Sequence, residues 1–242
     1  MNINRVVLTA LVSVLAGLLL TAAPALGAVA ADQQDGRILY ENSCSTCHGV
    51  DGRGTADGPT LESSGAAGAH FMLSTGRMPL DDPTSQPVRK TAAFTEEEIL
   101  RISAYVASIS DGPPIPEVEL EEADLAEGQQ LFSANCAACH NSAGSGGAVG
   151  AGLEAPALHE STPVQVVEAT RIGPGTMPVF DQSTLSDEEV NSIARYLAYL
   201  KEAPDPGGLG LGRIGPIAEG FVTWLVGVGL LVLAARWIGE KQ

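Results

Sequence analysis

Apolar residues are concentrated at both ends of the 242-residue chain, whereas the middle alternates apolar stripes with polar and acidic segments. Near the start, Arg5 precedes an apolar, uncharged stretch over 6–20 and the small-residue triplet Ala-Val-Ala at 28–30. A positive residue, an apolar stretch and an A-x-A site together predict a signal peptide over 1–30 that is cleaved from the mature protein. An uncleaved membrane anchor starting at residue 6 is the alternative.

The C-terminal apolar segment has a different character. Residues 220–235 carry no charge, and the stretch approaches the length of about 20 residues that a helix needs to cross a bilayer. We predict a linker over 204–213, a transmembrane helix over 214–238 and a short tail over 239–242. A signal peptide followed by one stop-transfer helix places the middle of the chain on the extracytoplasmic side of the cell membrane and the C-terminus in the cytoplasm.

The middle of the chain contains an internal repeat. The segment Gly36–His48 (GRILYENSCSTCH) recurs 92 residues later as Gly128–His140 (GQQLFSANCAACH). Farther along, the tetrapeptide GRMP at 76–79 recurs as GTMP at 175–178. We therefore predict two copies of one domain, over 31–111 and 127–203, joined by an acidic, proline-rich and solvated linker over 112–126.

Each repeat is predicted to close with an amphipathic helix. Thr95-x-x-Glu98 and Ser186-x-x-Glu189 have the pattern of capping boxes. The apolar stripes that follow them are Ile99, Ile102, Val106, Ile109 and Val190, Ile193, Leu197, Leu200. Each repeat also begins with a helical segment whose Gly36 or Gly128 permits a close crossing by the closing helix, near Tyr105 or Tyr196.

No segment alternates convincingly with a period of two, so the predicted fold class is mainly α, with strands absent or trivial. The glycine run over 144–147 is predicted to be a loop.

Charge and aromatic content narrow the possible functions. The formal net charge is −16, and a strongly acidic chain is unsuited to bind the phosphates of nucleic acids. Both tryptophans lie in the C-terminal apolar segment, so the two repeats have few large aromatic side chains for their cores. A bound cofactor is one way to supply the missing bulk.

All four cysteines lie in two C-x-x-C-H motifs, at 44–48 and 136–140. This spacing is that of covalent haem c attachment, in which two sulfurs bind the porphyrin and the adjacent histidine binds the iron. Three other uses remain open: structural disulfides, a zinc site with four thiolates, and a redox-active dithiol. None of them explains a histidine directly after the second cysteine of both motifs.

The sixth ligand of each iron decides between electron transfer and ligand activation. The repeat alignment selects Met78 in the first copy and Met177 in the second, both in loops bounded by Gly and Pro. Met72, beside Phe71, is interpreted as a packing residue and is the alternative ligand. The two other histidines, His70 and His159, are the candidates for bis-histidine ligation, although we expect them to be solvated loop residues. Histidine and methionine ligation leaves no open iron site, so both haems are expected to carry electrons.

These residues carry a resemblance to a known family. Each repeat resembles a class I cytochrome c domain. The two repeats followed by GPIAEGFVTWLVGVGLLVLAARWIG resemble the dihaem cytochrome c subunit (cytochrome cc) of the actinobacterial menaquinol-oxidising cytochrome bcc complex. The resemblance implies two haem c groups with the ligand sets Cys44, Cys47, His48, Met78 and Cys136, Cys139, His140, Met177. One departure is Asn141, which follows His140 where many such domains have glycine, and it leaves the loop conformation there open.

The resemblance also implies a place in aerobic respiration. The subunit would take electrons from a Rieske iron-sulfur protein and pass them to the copper centre of cytochrome c oxidase, with cytochrome b as a further partner. The chain would then be the electron-transfer subunit of a quinol–cytochrome-c reductase and translocase, with no catalytic residue of its own. Two alternatives stay open: an electron acceptor for another extracytoplasmic dehydrogenase, and a dihaem peroxidase, which requires a free or displaceable haem ligand.

Overall fold

The structure is a computed structural model that describes residues 34–202 and 216–240. The signal peptide expected over 1–30, the linker expected over 204–213 and the last two residues of the expected tail lie outside the described residues. Within the described ranges the chain forms helices and one two-stranded sheet. The predicted mainly α fold class is confirmed.

Corresponding helices recur in the two repeats. The helices of the first repeat are α1 (34–43, the described part of the first helix), α2 (Ser45–His48), α3 (Gly65–Ser74) and α4 (Glu96–Ser108). Those of the second are α5 (Leu125–Asn135), α6 (Ala137–His140), α7 (Pro163–Ile172) and α8 (Asp187–Glu202). Strands β1 (Gly147–Gly150) and β2 (Leu153–Ala155) lie between α6 and α7, and α9 (Pro216–Gly239) ends the described chain.

Helix α4 begins as its sequence predicts. The Thr95 hydroxyl accepts a hydrogen bond from the Glu98 amide, and the Glu98 carboxylate accepts one of 2.8 Å from the Thr95 amide, which completes the capping box. These bonds to the charged carboxylate lower the pKa of Glu98. The inward stripes of α4 and α8 are also confirmed, since Ile99, Ile102, Val106 and Val190, Ile193, Leu197 are buried.

Glycine allows the first and last helices of each repeat to cross at close range. A Cβ atom on Gly36 would collide with the carbonyl of Arg101, and one on Gly128 would collide with the carbonyl of Ser192. The aromatic rings beside the crossings pack with centroid distances of 5.2 Å (Tyr40–Tyr105) and 5.6 Å (Phe132–Tyr196). Both predicted crossings are therefore present, each with the predicted tyrosine as a packing partner.

The core of the first repeat lies between α1, α3 and α4. Its buried residues are Tyr40, Leu73, Ile99, Ile102 and Val106. Cys44 and Met78 are among the partly buried side chains that pack against this cluster. The first cysteine of the C-x-x-C-H motif and the predicted methionine ligand are therefore supported by the same apolar core.

The glycine-rich segment after α6 is not entirely a loop. Gly147 and Ala148 pair with Ala155 and Glu154 in an antiparallel hairpin. The turn uses positive φ angles at 150–152, including 51° at Ala151. Because every residue of β1 is exposed, the strand has no buried face and hence no alternating pattern from which the sequence could predict it.

By their internal contacts the described residues form two units. The first comprises the residues up to Val118 together with Val164–Asp187, and the second comprises Glu119–Pro163 and the residues from Glu188 onward. Helix α7, which belongs to the second repeat by sequence, is thus grouped almost entirely with the first unit. The domain boundaries at 31–111 and 127–203 remain predictions from the repeat.

The segment predicted to be a solvated linker is hydrogen-bonded to the protein at both ends. The Pro113 carbonyl accepts a bond of 3.0 Å from the first turn of α3. At the other end, the Arg195 guanidinium donates to the carbonyls of Leu120 and Ala123, and the Asp124 carboxylate caps α5. The linker over 112–126 stays a prediction, and composition did not indicate these end contacts, because it does not show which backbone carbonyls find partners in distant helices.

Helix α9 is the element that fits the predicted membrane span. Residues Glu219–Gly239 are long and apolar enough to cross a bilayer, with none of the apolar window buried against the rest of the described chain. It is also the one such helix among the residues that the structure describes.

Candidate haem sites

The first C-x-x-C-H motif forms one tight helical turn directly after α1. The Cys44 amide donates to the Tyr40 carbonyl, and the His48 amide donates to the Cys44 carbonyl. This turn brings both sulfurs and the imidazole together in α2 and the Cys44 that precedes it, as the haem c attachment motif requires. The Cys44 and Cys47 thiols are free of disulfide bonds.

The environment of the first cysteine in each motif disfavours a redox-active dithiol. Burial raises the pKa of the Cys44 thiol to about 11, and that of Cys136 likewise to about 11. A catalytic C-x-x-C pair works through a lowered thiol pKa at its first cysteine, because the thiolate is the nucleophile. Both thiols here are instead kept neutral within an apolar surrounding.

The histidine of the first motif is held in one orientation. His48 Nδ1 lies 2.9 Å from the carbonyl oxygen of Pro59. Because a carbonyl oxygen can only accept, Nδ1 must carry the proton and donate the bond. The lone pair of the neutral ring therefore resides on Nε2, the nitrogen that metal-ligating histidines use when Nδ1 bonds to a backbone carbonyl.

The loop after His48 closes over the motif. The Tyr40 hydroxyl donates to the Gly49 carbonyl over 2.7 Å, and the Thr55 hydroxyl donates to the Cys47 carbonyl over 2.7 Å. The His48 carbonyl accepts from the Gly54 amide at 2.8 Å. These bonds fix the loop that supplies the Pro59 carbonyl to the imidazole.

The second motif repeats this arrangement. His140 Nδ1 lies 3.0 Å from the Pro156 carbonyl oxygen, and the His140 carbonyl accepts from the Gly146 amide at 2.9 Å. The side chain of His140 is more enclosed than that of His48, and the residue as a whole is 8% exposed. The same tautomer, with the lone pair on Nε2, follows for both motif histidines.

Asn141 adopts the backbone conformation of Gly49, which is the corresponding residue of the first repeat. Its φ is 65° and its ψ is 153°, close to the 78° and 154° of Gly49 after the first motif. This region of the backbone map is strained for any residue with a Cβ atom. The Asn141 side chain offsets part of the strain, since its Oδ1 accepts a bond from the Ala143 amide. The loop conformation that the sequence left open is thus the same in both repeats.

The two predicted methionine ligands lie in loops, of which the first is bonded to the preceding helix and the second is bonded within itself. The Met78 amide donates to the Met72 carbonyl of α3 over 3.1 Å, and the Met177 amide donates to the Pro174 carbonyl over 3.2 Å. Both side chains are partly buried. By contacts, Met177 is grouped with the first unit, whereas the second motif lies in the second unit.

The expectation of a solvated loop residue was wrong for His70, whereas His159 does lie in a turn but is partly buried and bonded to the protein. His70 lies in α3 with its side chain 13% exposed, and its Nδ1 is 2.6 Å from a carboxylate oxygen of Glu168. His159 lies in a turn, and its Nε2 is 2.7 Å from the Ala143 carbonyl oxygen. Sequence alone does not show either partner, because Glu168 is 98 residues away from His70.

Arg77, directly before Met78, is a buried charge that sequence reasoning missed. It is 7% exposed, its guanidinium lies 4.9 Å from the centroid of the Phe71 ring, and no described residue accepts a bond from its Nη1. Burial is the main cause that lowers its pKa. The unbonded Nη1 of this buried guanidinium fits a cofactor that carries carboxylates, as haem does, because a buried charged group with an unsatisfied donor is costly.

Zinc ligation finds no support within the described ranges. Among these residues, no group of three or more His, Cys, Asp or Glu side chains lies close enough to bind a metal ion. Each motif instead offers two thiols and one imidazole nitrogen, which is the donor set for covalent haem attachment.

Comparison with known proteins agrees with this donor set. The family model described as "Cytochrome c" matches residues 33–110, and the model "Cytochrome C oxidase, cbb3-type, subunit III" matches residues 123–197. The cytochrome bc1 complex cytochrome c subunit of Corynebacterium diphtheriae is 38% identical, over 94% of this chain and 90% of the relative. That of Mycobacterium tuberculosis is also 38% identical, over 86% of this chain and 77% of the relative.

The chain belongs to the family of cytochrome bc1 complex cytochrome c subunits. It thus comprises two cytochrome c domains followed by an apolar C-terminal helix, as the resemblance implied. A more distant relative is a cbb3-type cytochrome c oxidase subunit of Azospirillum, 26% identical over 67% of this chain and 60% of the relative. Membership implies that this cytochrome c subunit is an electron-transport protein that binds haem c covalently.

Proposed function

We propose that the chain is a membrane-anchored dihaem cytochrome c that carries electrons from the Rieske iron-sulfur protein of a menaquinol-oxidising complex to the copper centre of a cytochrome c oxidase. The observation that carries the proposal is the recurrence of one histidine geometry in both C-x-x-C-H motifs. In each, Nδ1 is bonded to a proline carbonyl and Nε2 carries the lone pair. The family relation supports assembly into a respiratory complex, since its named relatives are subunits of cytochrome bc1 complexes.

Each repeat supplies one complete ligand set in this proposal. Thioether bonds form from Cys44 and Cys47 in the first repeat and from Cys136 and Cys139 in the second. The iron ligands are His48 with Met78, and His140 with Met177. Haem c supplies a one-electron Fe(III)/Fe(II) couple when bound.

Backbone carbonyls and methionine side chains of the protein determine whether this couple serves electron transfer or reacts with a substrate. The Pro59 and Pro156 carbonyls keep the two imidazoles in the ligating tautomer and increase their basicity. Met78 and Met177 would supply the second protein ligand to each iron, which would leave neither site open to a substrate. Electron transfer therefore fits this ligand set, and peroxide turnover does not.

The anchor and the two domains together make a tethered carrier. Helix α9 holds the domains at the membrane, with the domains extracytoplasmic and the C-terminus cytoplasmic. Tethering keeps donor and acceptor at high effective concentration, so the chain does the work of a diffusing cytochrome c without having to dissociate. The expected partners are cytochrome b, the Rieske protein and cytochrome c oxidase.

Copurification tests the partner assignment. The tagged full chain, extracted in mild detergent, is expected to bring down cytochrome b, the Rieske protein and oxidase subunits. The control is a chain whose α9 is replaced by an unrelated membrane helix. This chain stays at the membrane, but the α9 surface is no longer available to the other subunits. Recovery with a soluble dehydrogenase instead of these subunits would make the chain an acceptor for that enzyme.

The order of the two haems is tested by removing one iron ligand. In membranes with His140→Ala, menaquinol-driven oxygen uptake is expected to be lost while the first haem is still reduced by quinol. The matched His48→Ala variant is expected to lose both, because electrons then have no entry. Unchanged oxygen uptake in His140→Ala membranes would show that the second haem is not on the route.

A further inference from the structure

Helices α3 and α7 are joined by a buried acid–base pair that the electron-transfer role does not use. His70 Nδ1 lies 2.6 Å from Glu168 Oε1, and the Glu168 side chain is completely buried. No described residue bonds to Glu168 Oε2. A buried carboxylate is costly unless it has a charged or hydrogen-bonded partner. The bond to His70 therefore offsets the free-energy cost of burying the Glu168 carboxylate.

A second set of polar contacts joins the same two helices one turn away. Gln165 is 7% exposed, and its Nε2 donates to the Ser74 hydroxyl over 3.2 Å. Its Oε1 accepts from Arg89 at 2.9 Å. Because residues three or four apart share one helix face, His70 with Ser74 and Gln165 with Glu168 present matching polar rows. The contact is therefore specific in register as well as buried.

Each of these helices leads directly to a methionine segment. The Met78 amide is bonded to the carbonyl of Met72, two residues after His70. On the other side, the Phe180 amide donates to the Thr170 carbonyl at 3.0 Å, which returns the segment containing Met177 to the end of α7. A displacement of either helix therefore displaces the methionine loop that it carries.

We propose that His70 and Glu168 are positioning residues that fix α3 to α7 and thereby hold the Met78 and Met177 segments in place together. The pair joins a residue of the first repeat to a residue of the second, so the methionine of each repeat depends on a side chain that belongs to the other. The part that concerns iron ligation rests on the proposed function. The part that concerns the α3–α7 contact rests on the geometry of the pair alone.

The first experiment measures the strength of methionine ligation in a background that reports one site. In the full-length holoprotein with Met177→Ala, the far-red absorbance band of a methionine-ligated ferric haem reports Met78 alone. Adding Glu168→Gln, a substitution in the other repeat, is expected to lower the concentration of added imidazole that displaces Met78 at about pH 6 by about tenfold, because the buried bond to protonated His70 loses its charge. His70→Gln is expected to act in the same way on Met177 when Met78 is replaced.

The control is Glu41→Gln, the same chemical change at an exposed carboxylate that pairs with Arg37 on α1. It is expected to leave the band, and the imidazole concentration at which the band is lost, unchanged. Gln165→Ala removes only the neighbouring bonds and is expected to shift the loss of the band in the same direction by a smaller amount. The positioning role would be overturned by a well-folded Met177→Ala/Glu168→Gln protein that loses the far-red band at the same imidazole concentration as its Met177→Ala parent.

A double-mutant cycle on thermal unfolding separates this inference from the proposed function. His70→Gln with Glu168→Gln is expected to be no less stable than either single variant, because the second change removes no further interaction. Strictly additive losses would contradict the pair. Absence of the far-red band from the wild-type ferric protein would refute methionine ligation and leave the outcome of the cycle intact.

Discussion

At the scale of single residues, the sites depend on backbone groups that hold particular side chains. The carbonyls of Pro59 and Pro156 select the tautomer of the two motif histidines, and the residue after each histidine turns the chain with a positive φ. The motif cysteines and histidines could be predicted from the sequence, because their spacing is a local property. The two proline carbonyls could not, since every residue carries a carbonyl and only the loop fold decides which one is used.

Asn141 offers a test of the strained turn. Asn141→Gly is expected to raise the free energy of unfolding of the holoprotein by about 1 kcal/mol, because glycine adopts this conformation without Cβ strain. The reciprocal Gly49→Asn is expected to lower it by a similar amount. Denaturant unfolding of both variants measures the effect. A lower stability for Asn141→Gly would mean that the Asn141 side-chain bonds outweigh the strain.

The His70–Glu168 pair predicts a pH dependence with a definite sign. The bond to Glu168 raises the pKa of His70, and burial raises the pKa of Glu168. Glu96 adds a smaller effect that also raises the pKa of His70. The folded protein therefore binds a proton at this pair more tightly than the unfolded chain, and the stabilisation is fully present below the unfolded histidine pKa of about 6.5.

This stabilisation is expected to be lost as pH rises through the higher pKa of His70 in the folded state. Unfolding free energies of the wild type and of Glu168→Gln, measured from about pH 6 to about pH 9, are expected to converge with increasing pH. The exposed-site variant Glu41→Gln is expected to run parallel to the wild type. A difference between wild type and Glu168→Gln that grows with pH would contradict the assignment.

At the scale of elements, the helices were predictable and the small sheet was not. Capping residues and apolar stripes located α4 and α8, and the repeated glycines located the crossings with α1 and α5. The β1–β2 hairpin has no buried face, and the ends of the 112–126 segment are bonded through backbone carbonyls. Neither feature produces a side-chain pattern, so neither could be predicted from the sequence.

The crossing of α5 and α8 is expected to tolerate no side chain at position 128. Gly128→Ala is expected to lower the stability of the holoprotein by about 1–3 kcal/mol, because the added methyl group would force the backbones of the two helices apart. Gly220→Ala is the matched control, since Gly220 lies in α9 with open space around its Cβ position. Thermal unfolding followed at the haem absorbance measures both. Equal stability of Gly128→Ala and wild type would contradict the close crossing.

At the scale of the whole molecule, the duplicated domain and the apolar C-terminal helix could be predicted from the sequence, whereas the grouping of α7 could not. By contacts, this helix of the second repeat is grouped with the first unit, and it bears Glu168, the partner of His70. Such a contact depends on how elements 98 residues apart in the chain pack in space. An alignment of the two repeats with each other does not indicate this contact, because it pairs corresponding residues and not residues that meet in space.

In the proposed function each C-x-x-C-H motif binds one haem c through two thioether bonds. The most direct measurement is the intact mass of the mature, denatured protein together with a haem stain of the same sample on a gel. We predict the mass of the polypeptide plus two haem groups, falling to one in Cys136→Ala/Cys139→Ala and to the other one in Cys44→Ala/Cys47→Ala. A mature wild-type protein with the mass of the bare polypeptide and no haem stain would contradict the account.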